Sequence, residues 1–292
     1  ACENQIKLVT MAPNQKNGME FIEELHGEVC ISLGHTSMDY DTAVEAIQRG
    51  AHHVTHLFNA MQPYAHRDPG LVGAALDDPQ CVVELISDGF HIHPSVIRAV
   101  FTMFGPERVV LISDSMMATG MANGRYKLGD LDVTMKDRKA TLQDGTLAGS
   151  ATNLFDCMRC AVSFGVPKEQ AIYCATYTPC QRMHFYDRGV IAPGKLADFI
   201  LLKDPAKLLE PETVFKNGIS IYKKEDRQAF PVEPYAFPED FYHSVSIPEV
   251  TLSDFDVKVP VEEGEVTVRA MEVHPDRTQT TEKLVTMQVK EH

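Results

Sequence analysis

Between residues 6 and 115 five apolar, strand-like runs are separated by helical or loop segments. IKLVTMAP (6–13), EVCISLGHT (28–36), HHVTHLF (52–58), CVVELISD (81–88) and RVVLISDS (108–115) read as strands. GMEFIEELHG (18–27), MDYDTAVEAIQRG (38–50) and PSVIRAVFTMFG (94–105) read as helices. A long loop containing Pro63 and Pro69 joins the third strand to the fourth. Strands this continuously apolar have both faces buried, and β-then-α alternation supplies the helices that cover them. The expectation is an α/β fold built on a parallel sheet.

Beyond residue 115 the pattern changes. Residues 125–147 alternate in period two around an Asp-Gly turn, which predicts antiparallel hairpins inserted into the βα series. Helices resume near 152–164 and 168–178, and a turn and strand follow at 189–202. Short strands follow from 212, with a Pro- and acid-rich linker at 230–241. The chain therefore divides at the sequence level into a partial barrel (1–185), a β-rich segment (186–229) and a linker with a β-rich tail (230–292).

A formal charge of −14 makes nucleic acid and anionic membranes poor partners, and no run approaches the roughly 18–20 apolar residues of a bilayer span. Seven scattered cysteines, an odd number in a chain of 292 residues, fit reduced thiols and a cytoplasmic setting. Cys157 and Cys160 share one face of a predicted helix, and no second pair has zinc-ligand spacing.

The chemistry gathers where strands end. GHTS (34–37), THLFNAM (55–61), HRDPG (66–70), SDGFH (87–91), ISDSM (112–116) and TLAGSAT (146–152) each sit where an apolar run gives way to a turn. Strand ends that each donate one polar side chain to a common mouth are how a βα-barrel builds its site. His35 and His56, from consecutive strands, can converge on one divalent cation, and Asp114 can accept a proton and return it to a leaving amine. Each has a structural alternative: a strand-end histidine can cap or pack, and Asp114 can cap a turn.

The segments GHTSMDYDTAVEAIQRGAHHVTHLFNAM, DPGLVGAALDDP, ISDGFHIHP, LISDSMMATG, GTLAGSATN and GVIAPGKLADF closely resemble N-acetylglucosamine-6-phosphate deacetylases of the amidohydrolase superfamily, over roughly residues 5–205. The resemblance implies a (β/α)8 TIM-like metal-dependent hydrolase barrel, here incomplete, with a small β-rich C-terminal module. It implies removal of acetate from a phosphorylated amino sugar, with His35 and His56 as metal ligands and Asp114 as the catalytic proton carrier. His91 would contact the acetamido carbonyl, and Asp88, Gly89 and Phe90 belong to the same substrate loop. Asn59 and Ala60 would hold the sugar phosphate and Arg67 its phosphate. Leu147, Ala148 and Gly149 would close over the ligand through backbone groups. Zinc is the first choice of cation, with iron, manganese or cobalt accommodated by the same donors. The family is usually a homodimer.

The sequence departs from that pattern twice. The family's upstream half carries an EGP-type motif whose glutamate is a metal ligand, and no such motif occurs here. The expectation is a fragment, or a chain that a partner completes. The tail, clearest in VEPYAFPEDFYHSVSIPEVTLSDFDVKVPVEEGEVTVRAMEVHP, resembles the segment that follows the barrel in bacterial adenine deaminases. That leaves an adenine deaminase-like aminohydrolase, or a truncated non-catalytic module, as alternatives to the deacetylase.

Overall fold

The computed structural model describes residues 5–204, 211–225, 236–242, 251, 263–273 and 280–289. The chain separates into two units, Ala1–Ala229 and Phe230–His292.

In the first unit, β1 (Leu8–Met11), β2 (Cys30–Leu33), β3 (His53–Val54), β4 (Val82–Ile86) and β5 (Val109–Ile112) form one parallel sheet in that order. Sequential parallel order is that of a βα-barrel wall, in which each strand pairs with the next after a helical crossover. The crossovers are α1 (Gly18–Leu25), α2 (Tyr40–Gln48), α3 (Gly70–Asp77) and α4 (Pro94–Phe104), and α5 (Leu154–Ser163) and α6 (Lys168–Arg182) pack behind β5. Ile31, Leu33, Val54, Leu57, Val83, Leu85 and Leu111 from the sheet region meet Ala43, Ile47, Leu71, Ile97 and Val100 from the helices in one core. Caps start the helices where the sequence places them. Asp39 accepts the Thr42 N–H, Asn153 accepts the Asp156 N–H, and Pro94 opens α4 after the His93 cap.

Two expectations are corrected. The segment read as a loop after the third strand contains α3, because Gly73 acts as a packing residue there and Gly70 supplies the φ of 52° at the helix start. A Cβ on Gly73 would lie 2.4 Å from Pro69 Cβ, and the helix is buried from Gly70 to Ala75. The third strand is not seven residues long but two. The backbone at His56, Phe58 and Ala60 takes positive φ (32°, 73° and 49°), which ends ladder pairing at Val54.

The 124–141 region forms an antiparallel meander of β6 (Gly124–Leu128), β7 (Leu131–Lys136) and β8 (Lys139–Thr141). The Asp144-Gly145 turn lies after this meander and carries the chain back to the Thr141–Leu147 bridge. Val133, Met135 and Ala140 bury against Met116, Ala118, Ala148 and Ala151, so the insertion sits on the segments that follow β5. The unit closes with an antiparallel sheet of β9 (Phe199–Leu202), β10 (Pro211–Lys216) and β11 (Ile219–Lys223).

In the second unit, β12 (Gly264–Val273) pairs in register with β13 (Thr280–Val289), a strand the sequence did not announce. Most of the tail stretch that resembles adenine deaminases, residues 243–250 and 252–262 among them, lies outside the described residues.

Gly34 shows why the GHT turn needs a glycine. A Cβ there would stand 2.8 Å from Thr55 Cβ and 3.0 Å from Thr10 Cγ2, closer than side chains pack. Gly34→Ala is expected to push β2 from its neighbours and lower unfolding free energy by about 1–3 kcal/mol. Urea denaturation of the two proteins checks it, and an unchanged midpoint would refute it.

Candidate active site

His35, His56 and Asp114 share one backbone peculiarity: φ is 52°, 32° and 51°. All three follow a strand of the same parallel sheet, where β2, β3 and β5 give out. Left-handed backbone at non-glycine residues is destabilised and tends to mark functional turns. Each turn swings its side chain off the strand direction toward the C-terminal end of the sheet, the end where barrels place their chemistry.

The structure brings the two histidines together. Their Nε2 atoms stand 2.9 Å apart and the rings are edge-on at 72°. Two nitrogens at about 2.0–2.1 Å from one tetrahedral ion would stand roughly 3.4 Å apart, so a small opening seats a cation between them. Burial, and then the neighbouring His35, hold the His56 imidazole below its ordinary pKa, while the Asp114 charge pulls the other way. A histidine kept neutral is the form that binds a cation. His56 Nδ1 is buried without a partner among the described residues. The donor chemistry therefore fits a divalent cation, as a site of two nitrogens. Among the described residues no third His, Cys, Asp or Glu joins them as a group.

Asp114 is exposed at the rim, and its surroundings are built by the loop that follows β8. The Ser150 N–H donates to the Asp114 carbonyl (2.8 Å), the Met116 N–H donates to the Ser150 carbonyl (2.8 Å), and Ser115 Oγ donates to the Thr152 carbonyl (2.8 Å). Ser115 and Ser150 form a parallel bridge, which extends the wall past β5. Gly149 takes φ 63° against Met116 and the Asp114 carbonyl. The Leu147–Gly149 stretch is thereby placed beside Asp114, with Ala148 buried beneath it.

His91 is oriented from within its own loop. Asp88 Oδ1 accepts the Phe90 and His91 N–H groups (2.9 and 3.0 Å), and its Oδ2 lies 2.8 Å from His91 Nδ1. Burial raises the Asp88 carboxyl, but these hydrogen bonds outweigh it and hold the group below its usual range. An ionised Asp88 fixes the tautomer with the proton on Nδ1 and leaves His91 Nε2 clear. Asp88 thus serves His91, while Gly89 (φ 85°) and Phe90 are exposed at the loop's tip.

Asn59 turns its amide inward, donating to the His56 and Leu57 carbonyls (both 3.2 Å). Ala60 accepts the Thr36 N–H (3.1 Å), which ties the NAM loop to the GHTS loop. Arg67 is exposed between Ala65 and Asp68, which bridge each other.

Glu84 and His53 lie outside the six strand-end segments. His53 is 1 % exposed in the middle of the sheet, with its Nε2 3.2 Å from Glu84 Oε1. The signal was an acidic residue inside the apolar run VVELIS. Three hydroxyls lie alongside: Thr55 Oγ1 is 2.5 Å from Ser32 Oγ and 2.9 Å from Thr10 Oγ1. An apolar cavity of about 690 Å³ beside Phe155, Ile172, Ile200 and Phe215 is lined by none of the candidate residues.

Residues 16–224 match the amidohydrolase family. This chain belongs to that family. Among its amidohydrolase relatives, the N-acetylglucosamine-6-phosphate deacetylase of Bacillus subtilis is 36% identical over 226 residues, which is 76% of this chain and 57% of that one. The deacetylase of Vibrio furnissii is 38% identical over 202 residues, 68% of this chain and 50% of that one. A Mycobacterium smegmatis deacetylase variant, solved with N-acetyl-D-glucosamine-6-phosphate, superposes with a TM-score of 0.70 at 34% identity, covering 75% of this chain and 58% of that chain. The amidohydrolase barrel expected from the sequence is therefore the fold, and the chain spans about half the length of the curated relatives it matches. Family membership implies a divalent cation.

Proposed function

We propose that this chain carries the substrate and proton-transfer side of a deacetylase that hydrolyses the acetamide of N-acetylglucosamine 6-phosphate to glucosamine 6-phosphate and acetate. The observation that carries this is the facing pair His35 and His56 at one end of the sheet, with Asp114 close enough for its charge to act on His56. The relatives named for this reaction support the substrate class.

His35 and His56 would hold the cation through Nε2, with zinc as the first candidate. When bound, the cation polarises the acetamide oxygen and lowers the pKa of water. Asp114 takes the proton that water loses as oxygen bonds to the acetamide carbon. It then returns that proton to the nitrogen as the C–N bond breaks, so acetate and a free amine leave. His91 Nε2, aimed by Asp88, steadies the developing negative charge on the acetamide oxygen. Arg67 grips the phosphate with Asn59 and Ala60 beside it, and the Leu147–Gly149 loop covers the sugar. The same reading carries a homodimer. Six free cysteines among the described residues fit a reducing, cytoplasmic setting.

Acetate release by the purified chain from N-acetylglucosamine 6-phosphate, with zinc added, tests the proposal. N-acetylgalactosamine 6-phosphate is the companion substrate, because a Shewanella relative 31% identical is named for it. Absence of both zinc binding and acetate release would refute the proposal. Arg67→Ala is expected to raise KM roughly 10- to 100-fold with kcat nearly unchanged. A charge-assisted phosphate contact contributes about 1.5–3 kcal/mol of binding that ground and transition states share. A change confined to kcat would place Arg67 elsewhere.

A further inference from the structure

We propose that Glu84 is the positioning residue for His56, holding its backbone so that its imidazole faces His35; the inference rests on the cation reading of that pair. Ladder pairing of β3 ends at Val54, and although the Thr55 N–H reaches the Leu33 carbonyl (2.9 Å), no backbone carbonyl among the described residues accepts the His56 N–H, at a residue whose φ of 32° is unfavourable for a side chain. The next residue over, on β4, supplies the hold. The Glu84 carbonyl accepts the Leu57 N–H at 2.8 Å, and its Oε2 faces the His56 N–H at 3.4 Å. The other carboxylate oxygen, Oε1, meets His53 Nε2 at 3.2 Å.

His53 is itself anchored, because it sits in register between Ser32 of β2 and Val82 of β4 and is sealed from solvent. One carboxylate thus joins the fixed start of the His53–His56 segment to its strained end. The side chain is 13 % exposed, so water competes weakly for either oxygen. The work done is geometric. It depends on reach from β4 to the His56 amide, and an acceptor without charge can do it.

Two conservative variants separate reach from charge. Glu84→Gln keeps the reach: its Oε1 accepts the His56 N–H while its amide donates to a neutral His53. Glu84→Asp keeps the charge and is one methylene too short. Zinc affinity, measured by competition with a chromophoric chelator, is expected to stay at the parent value in E84Q. In E84D it is expected to fall about 10- to 100-fold, the usual effect of losing a residue that orients a ligand. Thermal midpoints of the zinc-free proteins are read alongside, since a purely structural role would lower them without changing the affinity of the folded protein. Parental affinity in E84D, or equal weakening in both variants, would overturn the proposal.

The hold is also read without zinc, as hydrogen exchange of the His56 amide: slow in the parent and E84Q, faster in E84D. If the parent binds no zinc, the cation reading fails and this comparison decides alone. Unchanged exchange in E84D then overturns the positioning role, and faster exchange supports it.

Discussion

Asp114→Asn is expected to lower kcat for acetate release by about 10²–10⁴ while leaving zinc content and the thermal midpoint at their parent values. The side chain is exposed and makes no hydrogen bond among the described residues, so its removal disturbs no packing. What holds residue 114 in place is its backbone, through the Ser150 N–H on its carbonyl, and asparagine tolerates left-handed φ as well as aspartate does. Asparagine has no basic oxygen able to take a proton from water and give it to a leaving amine. Parallel rate and zinc-content measurements check this. A variant that loses zinc together with activity would move Asp114 from proton transfer to cation binding.

The second large effect is on stability against pH. His53 is sealed in the sheet, and burial alone would push its pKa down. Its hydrogen bonds to Cys30 and Glu84 outweigh that and lift it from 6.5 to about 9. A raised folded-state pKa means that the native protein keeps a proton which the unfolded chain releases above pH 6.5. The stabilisation is therefore complete below that pH and drains away as pH rises toward 9. Over the whole window the loss is about 3 kcal/mol.

The thiols of Cys81, Cys157 and Cys174, pushed up to about 12 mainly by burial, act with the same sign. They begin only near the ordinary thiol pKa of about 8.5, and His56, held low, acts with the opposite sign and is nearly spent above pH 6.5, so His53 leads the change from pH 6.5 to 8. Urea midpoints across that interval are expected to fall in the parent and to stay level in His53→Gln. A flat parent profile would refute a charged His53. Asp88, held low by its loop, acts at the other extreme: its contribution is present above about pH 4 and is lost as pH drops through its lowered folded value.

What the residues announced, and what they concealed, follow from how local each signal is. Apolar runs and caps act within a few residues, so the five strands and α1, α2 and α4 could be placed from them. Gly73 reads as a breaker because its use, close approach of Pro69 to the helix, is invisible until α3 packs. The third strand read too long because HHVTHLF is apolar enough for a strand throughout. Its break comes from turns at His56, Phe58 and Ala60, which no side-chain pattern encodes.

Similarly, His35, His56 and Asp114 were visible as polar residues ending apolar runs. The sequence by itself determined the βα order and the identities of those strand-end groups, because each depends on residue type and short spacing. Only the tertiary structure decided that the two histidine nitrogens meet at 2.9 Å and that Asp88 is committed to aiming His91. It also decided that a glutamate 28 residues away braces His56. The histidine and glutamate relations depend on register between strands, where a slip of one residue would turn each side chain to the other face of the sheet, and the Asp88–His91 contact depends on the turn its own loop takes.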